Sequence, residues 1–267
     1  MKKEPELENI KCFMLDMDGT FYLGNKLLPG AKEFINYISA NNLDYLFLTN
    51  NSSKHAELYA EKIHKLGMDI PAEKIFTSGE ATTIFLQKKI PQAKIYIVGT
   101  YALEYEFRKK DFQLVDEDPD AVVLGFDTTV TYQKFRKICD FIRDGKPYYA
   151  THPDLNCPTE TGFMPDIGSF IALIEASTGR RPDIIVGKPN EYIVSAVVEK
   201  TGYGIDEIAM IGDRLYTDIA LGKAGITTIL MLSGETKKEE VANSQYKPDF
   251  IFENLLAFVK YLNQKSG

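Results

Sequence analysis

Short apolar runs alternate with longer amphipathic stretches along this chain. Ile10 to Leu15, Leu43 to Leu48, Ile95 to Val98, Ala121 to Leu124, Pro147 to Ala150, Ile184 to Val186, Ile208 to Ile211, Thr227 to Leu232 and Asp249 to Phe252 read as strands, with Ile75-Phe76 as a short one. Apolar runs this short do not by themselves separate strand from buried helix, but their length and flanking Gly, Asp and Asn favour strand. Between them lie helical patterns. Lys32 to Ala40 carries Phe34, Ile35 and Ile38, and Lys54 to Leu66 carries Leu58, Ile63 and Leu66. The second of these has Ser52 or Ser53 as a candidate cap and Gly67 as a stop. Tyr132 to Arg143, Glu191 to Lys200 and Glu253 to Leu262 complete the set. Strand–helix alternation predicts an α/β fold, a doubly wound parallel sheet with helices on both faces.

The sharp polar motifs fall before residue 79 and after residue 181, while residues 80–180 carry a strand–helix alternation of their own. This predicts a discontinuous Rossmann-like core, 1–79 and 181–267, with a smaller α/β domain inserted at 80–180. Within the insert, Val123 to Asp127 followed by Thr131-Tyr132 reads as a strand, a turn and a capped helix.

The composition of the 267 residues is that of an ordinary globular chain, 44% hydrophobic and 26% charged. A formal net charge of −7 and no Lys/Arg run longer than two argue against nucleic acid as a partner. No apolar run approaches the ~18 residues of a membrane span. The start, Met1 to Asn9, is polar and lacks the basic and apolar stretches of a signal peptide. Three widely spaced cysteines, Cys12, Cys139 and Cys157, suit reduced thiols. The expectation is a cytoplasmic protein with no membrane partner.

Four polar clusters each follow a predicted strand. Asp16-Met17-Asp18-Gly19-Thr20 places two carboxylates two residues apart at a strand end, where open α/β sheets bind ligands. Thr49-Asn50-Asn51-Ser52 precedes a predicted helix and offers a hydroxyl and amides to an anion. Gly187-Lys188-Pro189 brings a lysine, without the spacing of a P-loop. Gly212-Asp213-Arg214-Leu215-Tyr216-Thr217-Asp218-Ile219 sets two acids about one helical turn apart. Alone, the first, second and fourth clusters also read as a turn or a helix cap, and Lys188 as an ordinary surface lysine. In combination they supply carboxylates without a His/Cys ligand set, which suits a hard cation such as Mg²⁺. They also supply a lysine, a hydroxyl and amides, which suit a phosphoryl group.

In this order the four motifs resemble those of the haloacid dehalogenase superfamily of phosphatases, over nearly the whole chain. The segment between the second and third resembles that family's class II cap. The TNNS and GDRLxTDI forms look like the nitrophenyl-phosphatase branch, which includes phosphoglycolate, pyridoxal-phosphate and nucleotide phosphatases. The resemblance implies Mg²⁺-dependent hydrolysis of a small phosphorylated metabolite, with p-nitrophenyl phosphate as a workable surrogate. Asp16 would be the nucleophile and form an aspartyl phosphate, and Asp18 the general acid and base. Asp16, the Asp18 main-chain carbonyl and Asp213 would hold Mg²⁺. Thr49, Asn50 and Lys188 would grip the phosphoryl group, with Asn51 as a further contact, and Asp218 would orient Lys188 or the outer shell of the metal. In the cap, the loop Thr151 to Pro158 would face the substrate, with His152, Asp154 and Asn156 as candidate leaving-group contacts. The same residues leave open a phosphoryl transferase or mutase, a phosphometabolite sensor without turnover, and a metal-dependent nuclease, which the acidic charge disfavours. A homodimer through the lid also stays open.

Overall fold

The computed structural model describes residues 7–159 and 162–265. Most of the polar start, Met1 to Asn9, lies outside that range. Among the described residues no helix is long and apolar enough to cross a membrane. The chain divides into two compact units.

The first unit takes in the described chain up to Leu48, Ala60–Ile75, and Val197 onward. Its centre is a sheet in the order Phe250–Phe252, Thr227–Met231, Ile208–Gly212, Cys12–Leu15, Asp44–Thr49, Ile75–Thr77. Cys12–Leu15 pairs in parallel with Ile208–Gly212 on one side and Asp44–Thr49 on the other. Every residue of Cys12–Leu15 and Ile208–Gly212 is buried, as expected of parallel strands covered on both faces. The chain order reverses across Cys12–Leu15, so the carboxyl end of that strand is the topological switch point where such sheets take ligands.

One face of this sheet is closed by Ala31–Ala40 and Leu255–Lys265. Phe13 of the strand meets Phe34 edge-on at 5.6 Å and Phe258 at 5.9 Å, and all three rings are buried. Burying each is worth about 1.5–3 kcal/mol relative to exposure. The close approach depends on Gly30 (φ +91°), where a Cβ would come within 1.9 Å of the Leu256 nitrogen.

The second unit comprises Thr49–Tyr59 and Phe76–Ala196. It thus holds all of the predicted insert, 80–180, and also residues 49–59, 76–79 and 181–196, which the sequence reading assigned to the core. Its five-stranded sheet runs Ile184–Ile185, Tyr148–Ala150, Ala121–Leu124, Lys94–Val98, Gln113–Leu114, with parallel pairings throughout. Tyr132–Arg143 and Ile167–Thr178 contribute Ile138, Ile142, Ile171 and Ile174 to one apolar cluster. Ser78–Lys89 and Tyr101–Lys109 contribute Leu86, Leu103 and Phe107 to a second. Of these four helices only Tyr132–Arg143 has a clean sequence signal, and Thr131 caps it as expected.

Two local expectations are corrected. The second predicted helix begins at Ala56 rather than Lys54, and Ser52 does not cap it. Ser52 is buried instead, its hydroxyl accepting from Phe126 N at 2.9 Å and bonding the Thr151 hydroxyl at 2.9 Å. The second half of the cap loop is not plain loop. Asn156–Thr159 pairs antiparallel with Gly162–Pro165.

Candidate active site

In the first unit, the carboxyl end of the central strand gathers acids. Asp16 N donates to Ile211 O at 2.8 Å, which ties the residue after one strand to its neighbour. Asp213 directly follows the Ile208–Gly212 strand. Asp218 lies one turn further on, with Asp218 N donating to Arg214 O at 3.1 Å. One carboxylate oxygen from each of Asp16, Asp213 and Asp218 falls within 4.8 Å of the others. Asp213 and Asp218 are buried. Asp213 accepts from Glu235 N at 2.7 Å and from the Thr20 hydroxyl at 3.4 Å. Its carboxyl is nonetheless pushed up to about 7, first by burial and then by the charge of Asp218. A buried carboxylate cluster is costly by itself, and a bound divalent cation removes that cost. The donors are hard oxygens, so the residues fit a cation of the Mg²⁺ kind.

The turn after Asp16 is tight. Phe21 N and Tyr22 N donate to Met17 O at 3.0 and 3.1 Å, and Gly19 N donates to Tyr22 O at 2.8 Å. Gly19 has φ +90°, and a Cβ there would sit 2.4 Å from Asp213 Oδ2. The turn returns Tyr22 to Asp18, whose Oδ2 accepts from the Tyr22 hydroxyl at 3.3 Å. Lys62 Nζ stands 3.8 Å from Asp18 Oδ1.

Arg214 belongs to this site although the sequence reading gave it no role. Its Nε lies 2.9 Å from Glu235 Oε2, and the Tyr216 hydroxyl donates to Glu235 Oε1 at 2.9 Å. Burial alone would lower the guanidinium pKa, but nearby negative charge, Asp16 foremost, raises it. The signal was its place between two acids of one motif. Its partner Glu235 carries none.

In the second unit a different group comes together. Lys188 is buried, and its main chain is held by Asn50 on both sides. Lys188 N donates to Asn50 Oδ1 at 2.8 Å, and Asn50 Nδ2 donates to Lys188 O at 2.9 Å. Asn50 Nδ2 also donates to the Asp154 carboxylate at 3.1 and 3.2 Å. The Lys188–Pro189 peptide is cis. The Thr49 hydroxyl accepts from Asn51 N at 3.1 Å. Asn51 turns inward on its own loop, its Oδ1 accepting from Ser53 N at 2.9 Å and from the Ser53 hydroxyl at 2.6 Å.

The cap-loop residues differ from one another. Asn156 is exposed. His152 is fully buried. Its Nε2 bonds Asp166 Oδ1 at 3.0 Å, and Nδ1 lies 3.2 Å from the Thr151 hydroxyl. Burial would lower the His152 pKa, but the Asp166 carboxylate outweighs it and raises the pKa.

The match to known proteins follows the same residues. The family description haloacid dehalogenase-like hydrolase matches residues 13–113, and a second, HAD-hydrolase-like, matches residues 185–258. The chain is 34% identical to the acid sugar phosphatase of Staphylococcus saprophyticus, over 97% of this chain and 100% of that protein. The chain is a phosphatase of the haloacid dehalogenase-like hydrolase family. This phosphatase is also 32% identical to the 5'-nucleotidase YutF of Bacillus subtilis, over 96% of this chain and 100% of that one. Among solved structures it resembles a 4-nitrophenylphosphatase from Thermotoga maritima, with 48% identity, a TM-score of 0.92, and coverage of 95% and 98% of the two chains. It falls in the nitrophenyl-phosphatase branch.

Proposed function

We propose that this phosphatase hydrolyses small phosphomonoesters, of the sugar, nucleotide, glycolate or aryl phosphate class, with Asp16 as nucleophile and with Mg²⁺. The observation that carries the reading is the gathering of Asp16, Asp213 and Asp218 at the switch point of a parallel sheet. An Asp16 carboxylate oxygen attacks phosphorus, and the bond from phosphorus to the ester oxygen breaks. Asp18 passes its proton to the departing oxygen. Water then attacks the phosphorus of the aspartyl phosphate, Asp18 takes its proton, and phosphate leaves as the P–O bond to the Asp16 carboxylate oxygen breaks. Asp16, Asp213 and the Asp18 carbonyl would hold the cation, which supplies positive charge against the phosphoryl oxygens.

Thr49 and Lys188 are the phosphoryl-binding groups in this reading. Asn50 contributes through Lys188, since its carboxamide is engaged with that residue's main chain and with Asp154. Asn51 is a further phosphoryl contact in this reading, through the Nδ2 donor that stands 3.8 Å from Cys157 Sγ. Asp218 stands behind the metal ligands, with its Oδ2 accepting from Arg214 N at 3.1 Å. Residues 80–180 act as the cap, in which Asn156 is the exposed candidate for touching a leaving group. Free Cys12, Cys139 and Cys157 support a cytoplasmic setting.

The test is phosphate release from a panel of small esters, with Mg²⁺ and with a chelator, beside Asp16→Asn. The expected result is Mg²⁺-dependent release that the variant loses. Full activity in Asp16→Asn would overturn the nucleophile assignment. A second phosphorylated product in place of free phosphate would mark a transferase.

A further inference from the structure

Asp18 is half-exposed, and a carboxylate on a turn has several rotamers open to it. Here two groups face it from separate elements, one on each oxygen. The Tyr22 hydroxyl donates to Oδ2 at 3.3 Å, and Lys62 Nζ stands 3.8 Å from Oδ1. Tyr22 is fully buried, so its ring cannot move away, and a buried phenol retains a partner for its hydroxyl. Lys62 comes from the Ala56–Lys65 helix and lies over the Tyr22 ring at 3.9 Å from the centroid. The ring therefore fixes both the hydroxyl and the ammonium.

We propose that Tyr22 and Lys62 are positioning residues that hold the Asp18 carboxyl in the orientation from which it gives its proton to the leaving oxygen. The inference rests on Asp18 acting as the general acid of the proposed hydrolysis. In that step the P–O ester bond breaks, the new bond to Asp16 forms, and the Asp18 proton moves to the departing oxygen. The negative charge left on Asp18 then faces an ammonium and a phenol, both already in place. An exposed ion pair is worth little for stability, so the effect belongs to the reaction rather than to the fold.

Leaving groups separate the two. An alkoxide needs the proton as it departs, whereas p-nitrophenolate leaves without it. The test compares kcat/KM for an alkyl phosphate, glycerol 2-phosphate, with that for p-nitrophenyl phosphate. The variants are Tyr22→Phe, which removes only the hydroxyl, and Lys62→Met, which keeps the stem over the ring. Each is expected to lose roughly tenfold on the alkyl ester, a fraction of what general acid catalysis supplies, and about twofold or less on the aryl ester. Lys62→Arg should recover most of the alkyl activity. Equal losses on both esters, or no loss on either, would overturn the proposal, since a merely structural change lowers both together. Failure of the underlying reading shows separately, as Asp16→Asn retaining activity or as wild type releasing phosphate from neither ester.

Discussion

Gly19 illustrates how one residue serves both backbone and site. Its φ of +90° disfavours any side chain, and a Cβ would press on Asp213. Gly19→Ala should lower the unfolding free energy by about 1–3 kcal/mol, measured in urea, and should also weaken the response to Mg²⁺. Loss of stability with the Mg²⁺ response intact would mean that Asp213 adjusts. The turn was legible from Asp-Gly; the pressure on Asp213, nearly two hundred positions away in the chain, was not. His152 shows the opposite case. A histidine in a polar loop reads as a contact for substrate, yet it is buried against Asp166. Its raised pKa means that the folded protein holds the proton more tightly than the unfolded chain. The stabilisation is complete below the unfolded imidazole value of ~6.5 and fades as pH rises through the native one. Urea titrations should therefore show the stability advantage of wild type over His152→Gln shrinking as pH rises above the unfolded imidazole value of ~6.5. An advantage that grows with pH would contradict the charged pair.

At the scale of elements, strands and helices with a clear apolar period were legible to within a few residues. Tyr132–Arg143 is the best instance, because one face is apolar and Thr131 supplies the cap. Ser78–Lys89 was not legible, because its buried residues are Ser, Gly, Ala and Thr with Leu86 alone to mark an apolar face. Helix caps carry different loads. Thr131 accepts a main-chain N–H of its helix, from Lys134 at 3.3 Å, so Thr131→Ala should cost about 1 kcal/mol. Asp166 caps Ile167–Thr178 and also holds buried His152. Asp166→Ala should cost about 3–5 kcal/mol, since it strands a buried charge. Chemical denaturation of both variants at pH 6 checks the ranking, and similar losses would argue that His152 is neutral there.

For the molecule as a whole, the acidic cluster couples ligand to fold. A cation that binds only the folded state adds about 2.7 kcal/mol at a hundred times its Kd. Thermal unfolding with Mg²⁺ should exceed that with chelator in wild type, and the gain should vanish in Asp213→Asn. With chelator, Asp213→Asn should be at least as stable as wild type, because a neutral amide removes both the burial cost of the carboxylate and its repulsion by Asp218, which together push Asp213 up to about 7. A chelated variant far less stable than wild type would show that the carboxylate has another structural partner. The α/β class, the strands and helices with a clear apolar period and the placing of acids at strand ends were determined by the sequence alone, because period and turn chemistry act between near neighbours. The meeting of Asp16 with Asp213 and Asp218, the grip of Asn50 on Lys188, the burial of His152 against Asp166 and the stacking of Lys62 on Tyr22 were decided by the tertiary structure. Such contacts join residues far apart in the chain, and sheet order, crossover and packing, rather than local pattern, determine which distant side chains meet.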